Sequence, residues 1–300
     1  MDQLTSAVRS PPDGPAVSGK PSCIQPELAF GEELSVTPDL SSYPWIVLNS
    51  SGGKDSQAML DFVVEQCDRA DVPRSRLVVV HADLGRVEWP GTRALAEEQA
   101  RHYGLVFHVV RRRQGDLLQH IADRGMFPSP RARFCTSDMK RGPVHTLLTR
   151  LTGQALAAGH AAPIRILNCL GMRAQESPAR AKRQQFGRDE RASNGKRTVD
   201  SWLPLHAWTV EQVWARIKAS GVRHHPAYDL GMPRLSCCFC IFSPRSALLL
   251  AGKHNPELLA QYVAVEKAIG HTFRQELPLA SIQQALANGE EPGTVADWAM

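Results

Sequence analysis

Hydrophobic positions along the chain fall into short apolar runs separated by longer amphipathic stretches. The apolar runs predict buried strands at residues 45–48, 76–83, 106–111 and 164–170. The amphipathic stretches predict helices at residues 57–67, 92–103, 115–124, 210–219, 256–269 and 281–288. Alternating strands and helices are typical of a parallel sheet covered on both faces. We therefore predict an α/β fold: a doubly wound, mostly parallel sheet with helices on both faces, followed by a helical C-terminal region.

The pattern also predicts how the 300 residues are divided. Residues 1–42 are rich in Pro, Gly and Ser and lack periodicity, which predicts a disordered or loosely ordered segment with a short ordered piece at residues 26–30. Residues 43–205 are expected to form the α/β domain. Residues 206–300 are expected to form the helical region, packed on the same core and carrying a cluster of cysteines.

Composition and charge narrow the class of protein. No run of 18 apolar residues occurs, and the N-terminus lacks a charged-then-apolar signal, so we expect a cytoplasmic protein without a membrane span. The seven cysteines are odd in number and unevenly spaced, which favours metal or redox chemistry over a disulfide framework. The net charge of +5 is matched by residues 173–197 alone, with eight basic and three acidic side chains. That segment suits a polyanionic substrate or nucleic acid, and the alternative is a solvated loop.

A Gly-rich turn joins the first predicted strand to the first predicted helix. Glycines let the backbone approach a phosphate, and the free N–H groups and dipole of the helix favour the anion. Lys54 adds a mobile cation, and serine hydroxyls add further donors. The spacing differs from the P-loop of ordinary NTPases, and the alternative is a turn that merely needs glycine. The turn consists of Ser50, Ser51, Gly52, Gly53, Lys54, Asp55 and Ser56.

The turn resembles the pyrophosphate loop of the ATP-pyrophosphatase (PP-loop) superfamily. The resemblance implies that ATP with Mg²⁺ binds at residues 50–56 and is cleaved between its α and β phosphates to adenylate a substrate. Lys54 and Asp55 are then expected to be catalytic. The expected contacts to the adenine nucleotide are all seven turn residues together with Asp83, Gly171 and Arg173.

Two segments resemble PAPS (phosphoadenosine phosphosulfate) reductase-like proteins of this superfamily. The sequence from His81 to Gly85 resembles their H-x-D-T-G segment, which implies that Asp83 lies near the nucleotide and its Mg²⁺. Leu84 replaces the usual Thr, so a hydroxyl contact is lost. The alternative for Asp83 is a helix cap or a loop acid. Residues 171–180 resemble the family's G-x-R-x-x-E-S-x-x-R element, which implies that its polar side chains face the nucleotide or substrate; these are Arg173, Glu176 and Arg180. The alternative is a helix start capped by its own glutamate.

Residues 131–143 resemble the family's R-x-C-T stretch. Charge-assisted hydrogen bonds from Arg133, Lys140 and Arg141 could hold the phosphate or sulfate of a substrate. Cationic neighbours would also lower the pKa of Cys135 and favour its thiolate, which makes Cys135 a catalytic candidate. The alternative is a structural cysteine beside a solvated basic loop.

A pair of cysteines near residue 240 forms the last motif. Cys237 and Cys240 can bind one metal centre, while Cys238 points elsewhere or substitutes for a neighbour. Cys135 is the best distant third ligand, because its motif is expected at the same rim. Three cysteines on a 4Fe–4S cluster leave one iron open, and resemblance to tRNA-thiolating and DNA-phosphorothioating PP-loop enzymes implies that this iron binds sulfur. Zinc and unligated redox cysteines are the alternatives.

These features predict an ATP-pyrophosphatase-type sulfurtransferase. The intact loop, with Lys54 and Asp55, favours ATP over an AMP ester, and residues 290–300 hold no reductase-type cysteine. The expected partners are an adenine nucleotide, a nucleic-acid or small-molecule acceptor, and a sulfur donor such as a cysteine desulfurase. The alternatives are an oxidoreductase that acts on PAPS or adenylylsulfate, and a non-catalytic nucleotide-binding module.

Overall fold

The computed structural model describes residues 36–298 of the chain. The expectations for residues 1–35, including the ordered piece at residues 26–30, lie outside the described residues. The described part begins with a 3-10 turn at Leu40–Ser42, where an oxygen of Asp39 accepts a hydrogen bond from the Ser41 amide at 3.1 Å. Leu40 is buried, so this turn is already anchored in the core.

A six-stranded sheet forms the centre of the protein. Its strand order is β3-β2-β1-β4-β6-β5, and every pairing is parallel except that of β5 with β6 at one edge. The strands are β1 (Trp45–Asn49), β2 (Leu77–Ala82), β3 (Val106–Val110), β4 (Ile164–Leu170), β5 (Phe186–Arg188) and β6 (Arg197–Trp202). Because parallel strands point the same way, their carboxyl ends meet at one rim of the sheet.

Ten helices surround and extend the sheet in the described part of the chain. They are α1 (Lys54–Arg69), α2 (Thr92–His102), α3 (Leu117–Arg124), α4 (Phe134–Thr136), α5 (Gly142–Ala157), α6 (Pro178–Ala181), α7 (Val210–Ser220), α8 (Arg245–His254), α9 (Pro256–Ile269) and α10 (Leu279–Ala287). A π-helical turn at Ser137–Arg141 links α4 to α5. Thr209 caps α7 in a capping box with Gln212, which confirms the predicted start of that helix. None of the helices within residues 36–298 is long and apolar enough to cross a bilayer.

Both faces of the sheet are buried. Ile46 and Leu48 of β1 pack with α1 and α7 on one face, whereas Val47 packs with α5 on the other. Cys169 in β4 is fully buried, as its apolar strand predicts. A third apolar cluster joins α3, the cysteine-bearing segment and α8, α9 and α10. The predicted α/β class with a helical C-terminal region is confirmed.

One predicted loop is a strand pair instead. Residues 184–198 are polar and basic, which predicts a mobile loop, but they contain β5 and the start of β6. The Asp189 carboxylate accepts hydrogen bonds from the amides of Arg191 at 3.0 Å and Ala192 at 3.2 Å. Arg197 is buried and donates to the Ala192 carbonyl at 2.7 Å. The pattern misleads because a short antiparallel edge pair is held by backbone and side-chain hydrogen bonds rather than by an apolar face.

Candidate active site

The Gly-rich turn lies between β1 and α1, at the carboxyl rim of the sheet. Gly52 has φ of +70°, a left-handed conformation that glycine adopts without strain. Two hydroxyls fix the turn from within: Ser50 accepts from the Gly52 amide at 3.3 Å, and Ser56 accepts from the Ser51 amide at 3.1 Å. Gly53 precedes the first turn of α1 without a side-chain cap, so the amino end of the helix depends on other groups for acceptors.

Lys54 points inward in this structure. Its side chain is 2% exposed, and its ammonium donates to the Pro233 carbonyl at 2.9 Å and lies 3.4 Å from an Asp55 oxygen. Its backbone N–H donates to the Tyr228 hydroxyl at 2.7 Å. The sequence analysis expects a mobile cation at this position. In the structure, Lys54 is instead held by hydrogen bonds to the segment that precedes the cysteine pair.

A buried network of charges continues from Asp55. The Arg173 guanidinium donates to an Asp55 oxygen at 2.6 Å, and the Arg173 backbone N–H donates to a Glu176 oxygen at 2.8 Å. Glu176 also pairs with Arg180 and with Arg234. Glu176 therefore holds the arginines in place through direct ion pairs. It also caps the start of its own helical turn, as the alternative given in the sequence analysis predicts.

Gly171 lets this network of charges approach the Gly-rich turn. A Cβ atom at Gly171 would stand 2.7 Å from the Asp55 carbonyl oxygen and 2.9 Å from the Ser56 nitrogen. Such short distances do not occur for real side chains, so only glycine allows the end of β4 to meet the first turn of α1. This contact, between elements far apart in sequence, brings Arg173 to Asp55.

The end of β2 lies against the same turn. His81 is buried, with Nδ1 at 3.0 Å from the Ser50 carbonyl oxygen and Nε2 at 3.1 Å from a Glu88 oxygen. Burial alone would lower the pKa of His81, but the hydrogen bond and charge of Glu88, helped by Ser50 and Asp83, leave it raised. One Asp83 oxygen accepts from the Gly85 amide at 2.8 Å, so Asp83 stabilises its own turn. The structure thus brings residues 50 and 81 together, as the predicted topology requires.

The cysteines of both motifs lie in one neighbourhood. Cys237 forms an antiparallel bridge with Glu88, and the Cys238 amide donates to the Val87 carbonyl at 2.9 Å. Cys135 in α4 packs against the same apolar cluster as Cys237. Cys238 itself is part of that cluster's buried core.

Electrostatic interactions also connect these thiols. Burial raises the pKa of Cys237 well above its ordinary value, Lys140 lowers it, and the neighbouring thiols of Cys240 and Cys135 raise it further. Burial likewise raises the pKa of Cys240, with Cys135 adding to the increase and Lys140 and Arg133 opposing it. The three thiols and these two cations are therefore close enough to influence one another electrostatically.

The donor set has the chemistry of a thiolate-bound metal group. Within residues 36–298, no three or more His, Cys, Asp or Glu side chains stand in a metal-binding arrangement. The residue types nevertheless suit a soft metal or an iron–sulfur group. Ser243, fully buried, has a hydroxyl without a hydrogen-bond partner, and its amide donates to the Cys240 carbonyl at 2.9 Å. Arg274 donates to the Ser243 carbonyl at 2.9 Å, which places another cation beside Cys240.

The basic residues expected to bind substrate divide into two sets. Arg133, Lys140 and Arg141 are exposed, and the Arg133 guanidinium lies 5.1 Å from the centre of the Phe242 ring. In the basic segment at residues 173–197, by contrast, Arg173 and Arg197 are buried. That segment therefore presents less positive charge to solvent than its sequence suggests.

Sequence reasoning missed two residues of the site, Tyr228 and Arg234. Both lie in the stretch leading to the cysteine pair, and Arg234 is buried against Glu176 and donates to the Trp298 carbonyl. Their proximity in sequence to Cys237 was the only available signal.

Comparisons with known proteins place the chain in a family. It is 27% identical over 269 residues to an uncharacterized 37.8 kDa protein encoded in the gpa 5′ region of Escherichia phage 186, covering 76% of each protein. The PAPS reductase of Candida auris in its phosphate complex is 18% identical at a TM-score of 0.43, covering 65% of this chain and 82% of that one. The U34-tRNA thiolase NcsA of Methanococcus maripaludis, with its 4Fe–4S cluster, is 13% identical at a TM-score of 0.42, covering 84% and 75%.

Both structural likenesses are too distant to establish a function for this chain. The family model of the phosphoadenosine phosphosulfate reductase domain, however, matches residues 45–242, most of the part that holds the site. The resemblance seen in the motifs is thereby confirmed, and the chain belongs to the phosphoadenosine phosphosulfate reductase domain family.

Proposed function

We propose that the protein is a PP-loop enzyme that binds ATP with Mg²⁺ at residues 50–56, adenylates an acceptor oxygen with release of pyrophosphate, and then forms a bond from sulfide-level sulfur to the acceptor atom as its bond to the adenylated oxygen breaks and AMP leaves. The observation that carries the proposal is the buried charge around the loop. Within residues 36–298, the four cations Lys54, Arg173, Arg180 and Arg234 contact two largely buried carboxylates, Asp55 and Glu176.

Uncompensated buried charge is costly, so this surplus favours an anionic ligand. Asp297 lies 3.8 Å from Arg234 but is 58% exposed, and it offsets the surplus only in part. A polyphosphate at the loop would meet the amino end of α1, where N–H groups and the helix dipole favour anions. The excess positive charge and the amino end of α1 both lie at the first turn of that helix, which suits the β and γ phosphates of ATP.

The proposed first step is displacement at the α-phosphorus. An acceptor oxygen forms a bond to that phosphorus while the bond from it to the bridging oxygen breaks, and pyrophosphate leaves with the bonding electrons. The Lys54 ammonium and the backbone N–H groups of the loop would stabilise the charge that develops on the leaving group. The proton of the acceptor hydroxyl passes to solvent. Asp55 would orient Arg173 towards the phosphates through their 2.6 Å hydrogen bond.

The sulfur step is assigned to the cysteine neighbourhood. Cys135, Cys237 and Cys240 would hold a 4Fe–4S cluster, with Cys238 as a further ligand candidate and zinc as the alternative metal. A cluster held by three cysteines supplies an iron with an open position for sulfur. The cations Lys140 and Arg133 near Cys237 and Cys240 suit a group that carries negative charge.

The acceptor is proposed to be an anion-bearing molecule, and a nucleic acid fits best. Arg133, Lys140 and Arg141 are exposed and form no ion pair with a described carboxylate, and Arg133 and Lys140 act on the cysteine thiols electrostatically. Exposed cations of this kind bind phosphate groups without reading sequence. A cysteine desulfurase is the kind of donor that would supply the sulfur, with an external thiol as the two-electron reductant that brings its persulfide sulfur to the sulfide level.

Pyrophosphate release from ATP tests the proposal. The wild-type chain is incubated with Mg²⁺-ATP and candidate acceptors: single- and double-stranded DNA, RNA and small nucleophiles. Lys54→Ala should abolish release, whereas Lys218→Ala, an exposed lysine on α7, should leave it unchanged. No release with any acceptor would refute adenylation. Sulfite release from PAPS would instead favour the alternative function, an oxidoreductase that acts on PAPS or adenylylsulfate. Nucleotide binding without turnover would favour a non-catalytic nucleotide-binding module.

Metal content tests the sulfur step separately. Anaerobically purified protein should be brown and contain iron and acid-labile sulfide, and Cys237→Ala and Cys240→Ala should each lose both. Cys67→Ala is the control, because Cys67 is buried in the core between α1 and the sheet. A colourless protein that contains zinc would overturn the cluster assignment.

A further inference from the structure

The segment that leads to the cysteine pair already uses the groups assigned to pyrophosphate. The Tyr228 hydroxyl accepts the Lys54 backbone N–H at 2.7 Å, and the Pro233 carbonyl accepts from the Lys54 ammonium at 2.9 Å. The same ammonium lies 5.7 Å from the centre of the Tyr228 ring. A backbone donor at the first position of α1 and the only lysine of the loop are therefore both bound by residues 228–233.

The packing around Gly53 shows how closely this segment covers the loop. A Cβ atom at Gly53 would stand 3.3 Å from the Tyr228 hydroxyl and 3.4 Å from the Leu235 Cβ. The hydroxyl thus lies directly against the backbone that a phosphate would approach. Burial raises the pKa of Tyr228, so the hydroxyl stays neutral. A neutral oxygen is a weaker acceptor than an ionised phosphate oxygen, and the phosphate has the advantage in a competition for the same N–H group.

The segment is anchored on both sides of the contact. On the amino side, His225 Nε2 lies 3.2 Å from the Thr92 hydroxyl. On the carboxyl side, Cys237 bridges Glu88 and the next amide along the chain donates to the Val87 carbonyl. Displacement of Tyr228 and Pro233 must therefore be absorbed between residues 225 and 237. That stretch ends at the first cysteine of the pair, so it connects the loop directly to the cysteines.

We propose that Tyr228 is a positioning residue that holds the cysteine-bearing segment over the Gly-rich turn and is displaced when a polyphosphate binds there. The proposal rests on the proposed ATP site and deepens it. Binding of pyrophosphate or of the ATP triphosphate releases the Tyr228 and Pro233 contacts with Lys54. Tyr228 and Pro233 then move away from the loop while Arg234 keeps its ion pair with Glu176 and Cys237 keeps its bridge to Glu88, so the packing of the stretch that leads to the cysteine pair becomes dependent on the nucleotide.

Pyrophosphate affinity of the full-length protein tests the competition. Tyr228→Phe removes only the hydroxyl, so inorganic pyrophosphate should bind about 3- to 10-fold more tightly, as expected for the loss of one competing neutral hydrogen bond. Tyr103→Phe is the matched control. Its hydroxyl donates to an oxygen of Asp61 at 2.7 Å, and Asp61 lies on α1, beyond the first turn that faces the loop. Calorimetric titration should give wild-type affinity for that control. Unchanged or weaker binding by Tyr228→Phe would overturn the proposal.

Hydrogen exchange of the wild-type protein tests the displacement without any substitution. Pyrophosphate should increase amide exchange in residues 228–235 and leave α5, which packs on the opposite face of the sheet from α1, unchanged. In Tyr228→Phe, exchange in residues 228–235 should already be raised before pyrophosphate is added. If pyrophosphate binds to the wild-type protein and these amides do not respond, the displacement is refuted while the ATP site stands. If neither pyrophosphate nor ATP binds, both the ATP site and this inference fail.

Discussion

Replacing Glu176 by glutamine tests whether the buried charge network stabilises the site. The Glu176 side chain is 4% exposed. One of its oxygens accepts the Arg173 backbone N–H at 2.8 Å and pairs with Arg180, and the other pairs with Arg234. Glutamine keeps the shape but removes the charge, and it turns an NH₂ group towards a guanidinium. Two arginines then lose their main counter-ion at once.

The two arginines do not lose equally. Arg234 is 5% exposed and, among the residues that the structure describes, keeps the solvated Asp297 at 3.8 Å and the Trp298 carbonyl as acceptors. Arg180 is 20% exposed, so part of its lost interaction is replaced by water. Breaking one side of a buried ion pair costs about 3–5 kcal/mol, and the partial compensation puts Glu176→Gln near the lower limit, at about 3 kcal/mol. For a chain of this size that corresponds to a fall in Tm of about 6 °C.

Thermal and urea unfolding followed by circular dichroism measure this change. Glu190→Gln is the matched control, because Glu190 is 76% exposed and pairs with Arg188 at the surface. Surface ion pairs contribute little, so the control should unfold like the wild type. Added pyrophosphate should raise the midpoint more in Glu176→Gln than in the wild type, since the variant leaves more positive charge uncompensated. Equal midpoints for the two variants would refute the assignment of Glu176 as the centre of the network.

Two further predictions concern the contacts of the loop with the neighbouring strands. Gly171→Ala should destabilise the fold by about 1–3 kcal/mol and weaken ATP binding, because its Cβ would overlap the Asp55 backbone. Gly153→Ala is the control: an added Cβ there meets no atom within 4 Å, so urea unfolding should show a neutral or stabilising effect. The raised pKa of His81 in the folded protein means that its pairing with Glu88 contributes stability fully below the unfolded value near 6.5, and that this contribution is lost as pH rises through the folded pKa. The unfolding free energy of the wild type relative to His81→Asn should therefore fall with rising pH, and a constant difference would contradict the pairing.

Elements that depend on a local hydrophobic pattern could be predicted from the sequence. The apolar run of β4 was predicted with the bounds that the structure has, and α9 likewise. Helix α5 was not named, because its glycines and threonines have low helix propensity and its start is a π-helical turn. Strand β5 was missed because it is a three-residue edge strand without a buried face, and β6 was missed because the polar residues Arg197, Asp200 and Ser201 interrupt its apolar positions.

The candidate site was predictable only in part, for a similar reason. The rule that ligands bind at the carboxyl ends of parallel strands placed residues 50 and 81 together, because topology alone requires it. No such rule places Arg234 beside Glu176 or Tyr228 beside Lys54. Those contacts join segments that are 58 and 174 residues apart in sequence, and they depend on how the C-terminal region folds back over the rim. The orientation of Lys54 followed from these distant contacts and not from the loop motif.

The buried positive charge of Lys54 bears on which nucleotide the loop is proposed to hold. An AMP ester brings a single phosphate to the α position, whereas ATP adds two more phosphates, and Lys54 and the amino end of α1 are the groups nearest to them in the proposed mode of binding. Keeping Lys54 2% exposed, with one carbonyl and one shared carboxylate as partners, costs free energy in the absence of an anion. A polyphosphate recovers that cost more completely than a monophosphate, because it brings more negative charge to the same first turn. Within the proposed function, the burial of Lys54 therefore favours a ligand that brings negative charge beyond its α phosphate, as ATP does.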